Sequence, residues 1–380
     1  MNQRELYLNH AGTSWPKPRV VSEAVRDAMN APPSRWPQMF QEAHERIARF
    51  FGVGRCEEIL LTPGCTSSLS IALSDVLIPK GQRILTSHWE HHALHRPLLK
   101  RQSQDVRVEN IPVSKNSQGI RTCPIDLDWL EKELSRGDVG LVAMTAACNV
   151  TGELLPFDDV IHLANQHGAM TLIDAAQLVG WQSLDFVKMG ADLVAFGGHK
   201  GLQAPWGIGG LYFSDRARMV CVSASCEIPV AEKDVVKTPP RPGYCDVGSV
   251  DQFALAGLHA AIGMLDDQDC DILLSNGRQQ IQQIRACFEE FEHVRTFGAS
   301  DVNQSVPSFA VSVGGLSSGE FAARLREQGI VVGSGYQCAP LAHQLLGTQD
   351  SGLVRFSVGI AQPTDEIDEL VGRLKIVLGR

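Results

Sequence analysis

The most specific chemistry in this sequence sits on two residues that close apolar runs. The first run, 169–174, ends in a carboxylate within Thr171-Leu172-Ile173-Asp174-Ala175-Ala176-Gln177. The second, 192–196, leads into Gly197-Gly198-His199-Lys200. A right-handed crossover fits between them, so Asp174 and Lys200 are expected at the carboxyl edge of one sheet, where ligands of such sheets bind. A lysine that forms an imine with an aldehyde and a carboxylate that keeps a pyridine nitrogen protonated suit a pyridoxal 5'-phosphate (PLP) site. Burial and nearby positive charge favour the neutral amine that such a lysine needs. As an isolated pair, a strand-end aspartate and a surface lysine are an equally common reading.

Four further segments add candidate groups. Gly64-Cys65-Thr66-Ser67-Ser68 lies between an expected strand at 58–62 and an expected helix at 69–77. Small and hydroxyl residues at a helix N-terminus can cradle a phosphate, or simply cap the helix. His88-Trp89-Glu90-His91-His92-Ala93-Leu94-His95 follows a strand at 83–87. An imidazole there could lie flat on a pyridine ring. The helical spacing of His88, His91, His92 and His95 also suits metal ligands, but no carboxylate motif accompanies it and no metal is expected; structural histidines are the commoner outcome. Asn149, in Thr145-Ala146-Ala147-Cys148-Asn149-Val150-Thr151-Gly152, could point its amide at a ring hydroxyl or a substrate, or serve as a turn residue. In the last third, Arg355 is a lone charge in the apolar run Leu353-Val354-Arg355-Phe356-Ser357. Its fork of donors matches the carboxylate of a small amino-acid substrate, with a structural ion pair as the alternative. Cys338, in the glycine-led loop Gly335-Tyr336-Gln337-Cys338-Ala339-Pro340, is a thiol that can reach a bound ligand, or an ordinary loop cysteine.

Strand-like runs at 58–62, 83–87, 106–111, 140–145, 169–174, 192–196 and 208–213 alternate with helical or loop segments. This pattern predicts an α/β fold with a mainly parallel seven-stranded sheet flanked by helices. The last third differs. Long helices are expected at 251–267 and 271–292, with short strands at 293–297, 308–313 and 354–358. Ser317 and Glu320 form a capping box ahead of a helix that stops at Gly329. A final helix carries Ile367, Leu370, Val371, Leu374, Val377 and Leu378 on one stripe. These elements suggest a smaller α+β C-terminal domain of residues 1–14 and 251–380 beside a large domain of residues 15–250. A strand at 6–8 can join either.

The chain has 380 residues, too many for one ordinary core. A net charge of -9 and the lack of a long basic run argue against a nucleic-acid partner. The ten cysteines contain no C-x-x-C pair, which reads as reduced thiols rather than a zinc knuckle or a disulfide framework. No apolar run approaches the roughly 20 residues that span a bilayer, and residues 1–6 have no apolar signal core. A cytoplasmic protein with a small-molecule substrate, and no membrane partner, is expected.

Glu-His, Asp-x-x-Gln, Gly-His-Lys and Val-Arg-x-Ser, in this order along the chain, resemble the class V aminotransferase superfamily. Within it the chain is most similar to cysteine desulfurases and selenocysteine lyases. The likeness runs from Tyr7-Leu8-Asn9-His10-Ala11-Gly12-Thr13 to the last helix, and is close in Gln337-Cys338-Ala339-Pro340-Leu341-Ala342-His343. It implies PLP fold type I and a homodimer with sites at the subunit interface. It implies Lys200 as the Schiff-base lysine, Asp174 as the ring-nitrogen partner, Gln177 at the ring hydroxyl and His91 stacked on the ring. Thr66, the backbone around Cys65, and His199 would hold the phosphate, with Ser249 reaching it from the other subunit. Asn149 would be the active-site asparagine, Arg355 the carboxylate-binding arginine, and Cys338 the nucleophile that takes sulfur from L-cysteine as a persulfide, leaving L-alanine. A sulfur-acceptor protein would follow. The chain departs from the pattern at Gly197, where Ser or Thr is common, at Gln337 in place of histidine, at Gly333 in place of arginine, and in lacking a glycine-rich flap near residues 220–230. These departures leave open another PLP-dependent C–S or C–Se lyase, an epimerase, an aminotransferase, or a degenerate binding protein.

Overall fold

The computed structural model describes residues 4–104, 106–219 and 249–379. In chain order the strands are β1 (Leu6–Leu8), β2 (Ile59–Thr62), β3 (Arg83–Thr86), β4 (Arg107–Asn110), β5 (Ser114–Lys115), β6 (Arg121–Cys123) and β7 (Val139–Thr145). They continue as β8 (Met170–Asp174), β9 (Leu193–Gly197), β10 (Gly209–Phe213), β11 (Val294–Phe297), β12 (Ser308–Val313), β13 (Ile330–Gly335) and β14 (Leu353–Ser357). The helices are α1 (Arg19–Asn30), α2 (Trp36–Phe50), α3 (Cys65–Asp75), α4 (His92–Gln102), α5 (Leu127–Leu134), α6 (Phe157–Gln166) and α7 (Phe186–Met189). After them come α8 (Asp215–Met219), α9 (Gln252–Asp266), α10 (Cys270–Glu289), α11 (Ser318–Glu327), α12 (Pro340–Leu346) and α13 (Thr364–Leu378).

Seven strands form one sheet in the order β2-β10-β9-β8-β7-β3-β4. All seven expected strands are present, and only β10 runs against its neighbours. Strands β8 and β9 are buried along their whole length, which is why they read as unbroken apolar runs rather than alternating ones. Successive residues still point to opposite faces. Leu141 and Ala143 join the core under α3 and α4, while Val142 and Met144 join the core under α5 and α6. The register places Thr145, Asp174 and Ala195 side by side, and aligns Gly197 with Gly209 and Gly209 with Thr62. The carboxyl ends of β2, β7, β8 and β9 therefore share one edge.

A second sheet has the order β1-β13-β14-β12-β11. β1 joins this smaller sheet, parallel to β13. β13 was not anticipated from sequence. The capping box of Ser317 and Glu320 forms as expected, and the helix it starts ends before Gly329 at φ +69°. The stripe on α13 buries Ile367, Leu370, Leu374, Val377 and Leu378 against α10, α11 and the sheet, with Val371 half-buried. Each such leucine contributes about 1.5–3 kcal/mol on burial. α9 goes elsewhere: its Ala254, Leu255, Leu258, Ala261 and Ile262 share the core that includes Val21, Ala43 and Ile47 of α1 and α2.

The two sheets are pinned together at Gly152, in the loop after β7. Its φ is +74°, and a Cβ there would lie 2.1 Å from the Ser308 carbonyl oxygen in β12. Val306 N donates to Gly152 O at 2.8 Å. Among the described residues no helix is long and apolar enough to cross a membrane.

Candidate active site

A cleft of about 630 Å³ opens at the shared carboxyl edge of the large sheet and is walled on its far side by β13, β14 and the loop after β13. Cys65, Thr66, His91, Asn149, Asp174, Gln177, His199, Lys200, Cys338 and Arg355 all line it. Residues from both sheets, far apart in the chain, are thus brought to one place. Ser249 is not among the lining residues; it is exposed. The segment 220–230, where a glycine-rich flap was sought, lies outside the described residues.

Asp174 closes β8. Its Oδ1 accepts from Ala176 N at 2.9 Å and from the Cys65 thiol at 3.2 Å. Burial and the neighbouring carboxylate push the Cys65 thiol well above its usual range, so it stays a donor. Lys200 follows β9. Loss of solvent lowers its pKa, opposed by Asp174, so the amine is easier to deprotonate than a surface lysine.

Helix α3 starts at Cys65 rather than at 69, correcting the expected start. Its fully buried apolar residues begin only at Leu69, although Cys65 already packs against the same core. No side chain caps this end, and Cys65, Thr66 and Ser67 face the cleft with first-turn N–H groups that lack intrahelical partners. Gly209 of β10 lets the backbone come this close, since a Cβ there would lie 2.8 Å from Gly64 Cα. At Gly197 there is room: an added Cβ would meet Cys65 Cβ at an ordinary 3.5 Å.

The four histidines of the 88–95 segment do not share one helical face, which corrects the helical spacing considered above. α4 begins only at His92, and His91 is its N-cap, its Nδ1 accepting from Ala93 N at 3.0 Å. The turn before it is held by Glu90, fully buried, which accepts from the Ser87 hydroxyl and from Thr145 N at 3.0 Å. Desolvation and the nearby Lys200 cation lower the His91 pKa to about 4. A neutral ring that accepts at Nδ1 carries its proton on Nε2. His88 instead reaches Ile111 O at 3.3 Å. His199 is likewise lowered to about 4 by burial and by Lys200 and Lys17.

Asn149 donates through Nδ2 to Gln337 O at 2.6 Å, which ties the loop after β7 to the cysteine loop. Gln337 and Cys338 both take left-handed conformations, at φ +41° and +59°. The loop is fastened by Ala339 N to Tyr336 O at 2.9 Å, by Gln337 Nε2 to Leu353 O at 2.8 Å, and by His92 N to Cys338 O at 2.7 Å. Cys338 is exposed. Arg355, in β14, is buried; its Nη1 donates to Asn149 O at 2.6 Å and its Nη2 to Asn9 Oδ1 at 2.8 Å. Gln177 Nε2 donates to Ala11 O at 3.1 Å.

Three contributors were not foreseen. Asn9 holds Arg355, and only the short run before it hinted at a strand. Glu90 shapes the turn of His91, but its burial has no sequence signal. Trp206 lines the cleft mouth, its Nε1 donating to Thr13 Oγ1 at 2.7 Å and its ring edge-on to His199.

This set fits a phosphorylated pyridine aldehyde. An amine and a carboxylate share the floor, and an uncapped helix start offers N–H groups. His199 Nδ1, Asn149 Oδ1 and Arg355 Nε are buried polar atoms without partners on cleft-lining residues, the condition expected where a polar ligand completes a site.

A "probable cysteine desulfurase" of Vibrio cholerae is 26% identical over 97% of this chain and 92% of its own length. One from Chlamydia muridarum is 29% identical over 99% of this chain and 96% of its own. The solved apo structure of a cysteine desulfurase from Thermococcus onnurineus superposes with a TM-score of 0.87 at 24% identity, covering 99% of this chain and 95% of that one, and shares its fold. The aminotransferase class-V family model matches residues 6–370. On that match the chain belongs to the class-V aminotransferase family.

Proposed function

We propose that this chain is a PLP-dependent enzyme that removes sulfur from L-cysteine, giving L-alanine and a persulfide on Cys338. One observation carries the reading: Lys200, Asp174, Arg355 and Cys338, from four separate parts of the chain, line a single cleft. The names of the full-length relatives support it.

When bound, PLP supplies an aldehyde for amines and a ring that takes up electrons. Lys200, made less basic by desolvation, would supply the amine that anchors the group and a base and acid for the substrate α-carbon. Asp174, with Oδ1 taken by Ala176 N and Cys65, would keep its other carboxylate oxygen for the protonated ring nitrogen of the group. His91 would offer a neutral imidazole to the ring, and Gln177 an amide to its hydroxyl. The first turn of α3 at Cys65 and Thr66, with His199, would hold the phosphate. Arg355 pairs with the substrate carboxylate, and Asn149 lies beside that pair. The Cys338 sulfur, as thiolate, attacks the substrate sulfur. The new S–S bond forms as the C–S bond breaks, the electron pair stays with carbon, and a proton delivered there completes alanine.

The exposed Ser249, outside the cleft of its own subunit, supports a homodimer in which it reaches the partner's phosphate. The free described cysteines and an exposed Cys338 support a reducing cytoplasmic setting and transfer of sulfur to an acceptor protein. The test is a product assay on purified protein with L-cysteine. Alanine should appear, Cys338→Ser should stop it by about a hundredfold or more while leaving the visible cofactor band, and Lys200→Ala should remove that band. A keto acid with the sulfur released as free sulfide in both wild type and Cys338→Ser would replace this reading with a C–S lyase.

A further inference from the structure

Arg355 is a buried cation whose described contacts are all neutral. Its Nη1 faces the Asn149 carbonyl, its Nη2 the Asn9 carboxamide, and its Nε has no partner. Among the described residues no carboxylate forms a salt bridge with it. An unpaired buried charge is costly, so the fold maintains it against a free-energy gradient. The Asn9 carboxamide is closely packed where it meets the guanidinium. A Cβ at Gly333 would lie 2.9 Å from Asn9 Oδ1 and 3.2 Å from Arg355 Nη2, and a Cβ at Gly12 would lie 3.0 Å from Asn9 Oδ1. Two glycines, one from each side, therefore make room for the carboxamide. Its orientation is fixed as well, because a guanidinium only donates and must meet the amide oxygen. Asn9 lines the same cleft as Arg355.

We infer that Asn9 is a positioning residue: it fixes the Arg355 guanidinium through a neutral acceptor, leaving the full positive charge for the carboxylate of an incoming amino acid. An aspartate would offer an oxygen at the same place but would also neutralise the cation. Asn9 thereby sets the preference of the site for amines that carry a carboxylate over amines that lack one. This rests on the proposed pairing of Arg355 with a substrate carboxylate.

The experiment measures binding to the holoenzyme, by perturbation of the cofactor absorption, of L-alanine and of ethylamine, which is the same amine without its carboxylate. Wild type should prefer L-alanine. Asn9→Asp should lower that preference by about tenfold or more, the scale of losing a close charge pair, with ethylamine binding unchanged. Asn9→Ala keeps the charge but frees the guanidinium, and should lower it by only about threefold. Melting of cofactor-free protein is an independent readout: Asn9→Asp, which pairs the buried cation, should melt above Asn9→Ala. If Asn9→Asp does not fold, Gly333→Ala replaces it, since its methyl group presses on both partners; L-alanine should weaken and ethylamine should not. Asn9→Asp binding L-alanine as wild type does, or either substituted protein losing both ligands equally, overturns the role of Asn9. A wild type that does not distinguish the two ligands overturns instead the reading of Arg355.

Discussion

Cys65 and Asp174 illustrate how neighbouring groups set each other's chemistry. The thiol, kept protonated by burial and by the carboxylate, donates to Oδ1. One carboxylate oxygen is thereby occupied and the other is left for a ligand. At Arg355 the deciding contribution is charge. Arg355→Ala should raise the KM for L-cysteine by about thirtyfold or more, as expected for a lost partner in a buried charged pair, while the visible cofactor band is unchanged. Steady-state kinetics together with the spectrum checks both. At this scale the sequence was informative wherever a residue type is rare in its setting. A lysine after Gly-His and an arginine inside an apolar strand both stand out. Asn9 does not, because a carboxamide at a strand end has many fates and its partner lies in the last third of the chain.

Elements differ in how clearly the sequence announces them. Strands β7, β8 and β9 are buried on both faces, so their apolar runs are continuous and their limits were read to within a residue or two. β13 escaped notice because Ile330–Gly335 holds two glycines and a serine and is only partly buried. β5 and β6 are too short and too polar to carry a period. The reversed direction of β10 is set by a short connection from β9 through the lysine loop, which periodicity does not encode. The elements also differ in tolerance. Ser317→Ala removes a capping box on the exposed start of α11 and should cost about 1 kcal/mol. Gly152→Ala should cost clearly more. A left-handed conformation alone costs an ordinary residue about 1–2 kcal/mol, and the new methyl group would collide with the Ser308 carbonyl. Urea unfolding of the two substituted proteins should rank them in that order.

For the whole molecule, buried titratable groups predict how stability varies with pH in cofactor-free protein. His10, His91 and His199 have pKa values lowered to about 4, chiefly by desolvation. Between pH 6.5 and 4 the unfolded chain binds protons that the folded one refuses, so these three groups erode stability as pH falls through that window. Glu90 acts in the opposite direction. Desolvation raises its pKa from 4.5 to about 8, so the folded chain keeps a proton that the unfolded one has lost, and stability declines as pH rises from 4.5 to 8. Below pH 6.5 three groups outweigh one, and above it Glu90 acts alone. Among these four groups the balance is best near pH 6.5. Glu90→Gln should flatten the alkaline side of the profile, as thermal melting across pH would reveal; an unaltered slope would mean that Glu90 is not the group responsible.

The lone cation at Arg355 has a consequence for handling the protein. A positive charge held without a counter-charge in a solvent-reachable cleft is a sink for small anions, and any anion that occupies it in the folded state alone shifts the folding equilibrium. Acetate or formate in the buffer should therefore protect cofactor-free protein from heat in a saturable way, and should do so far less once Arg355 is replaced by methionine.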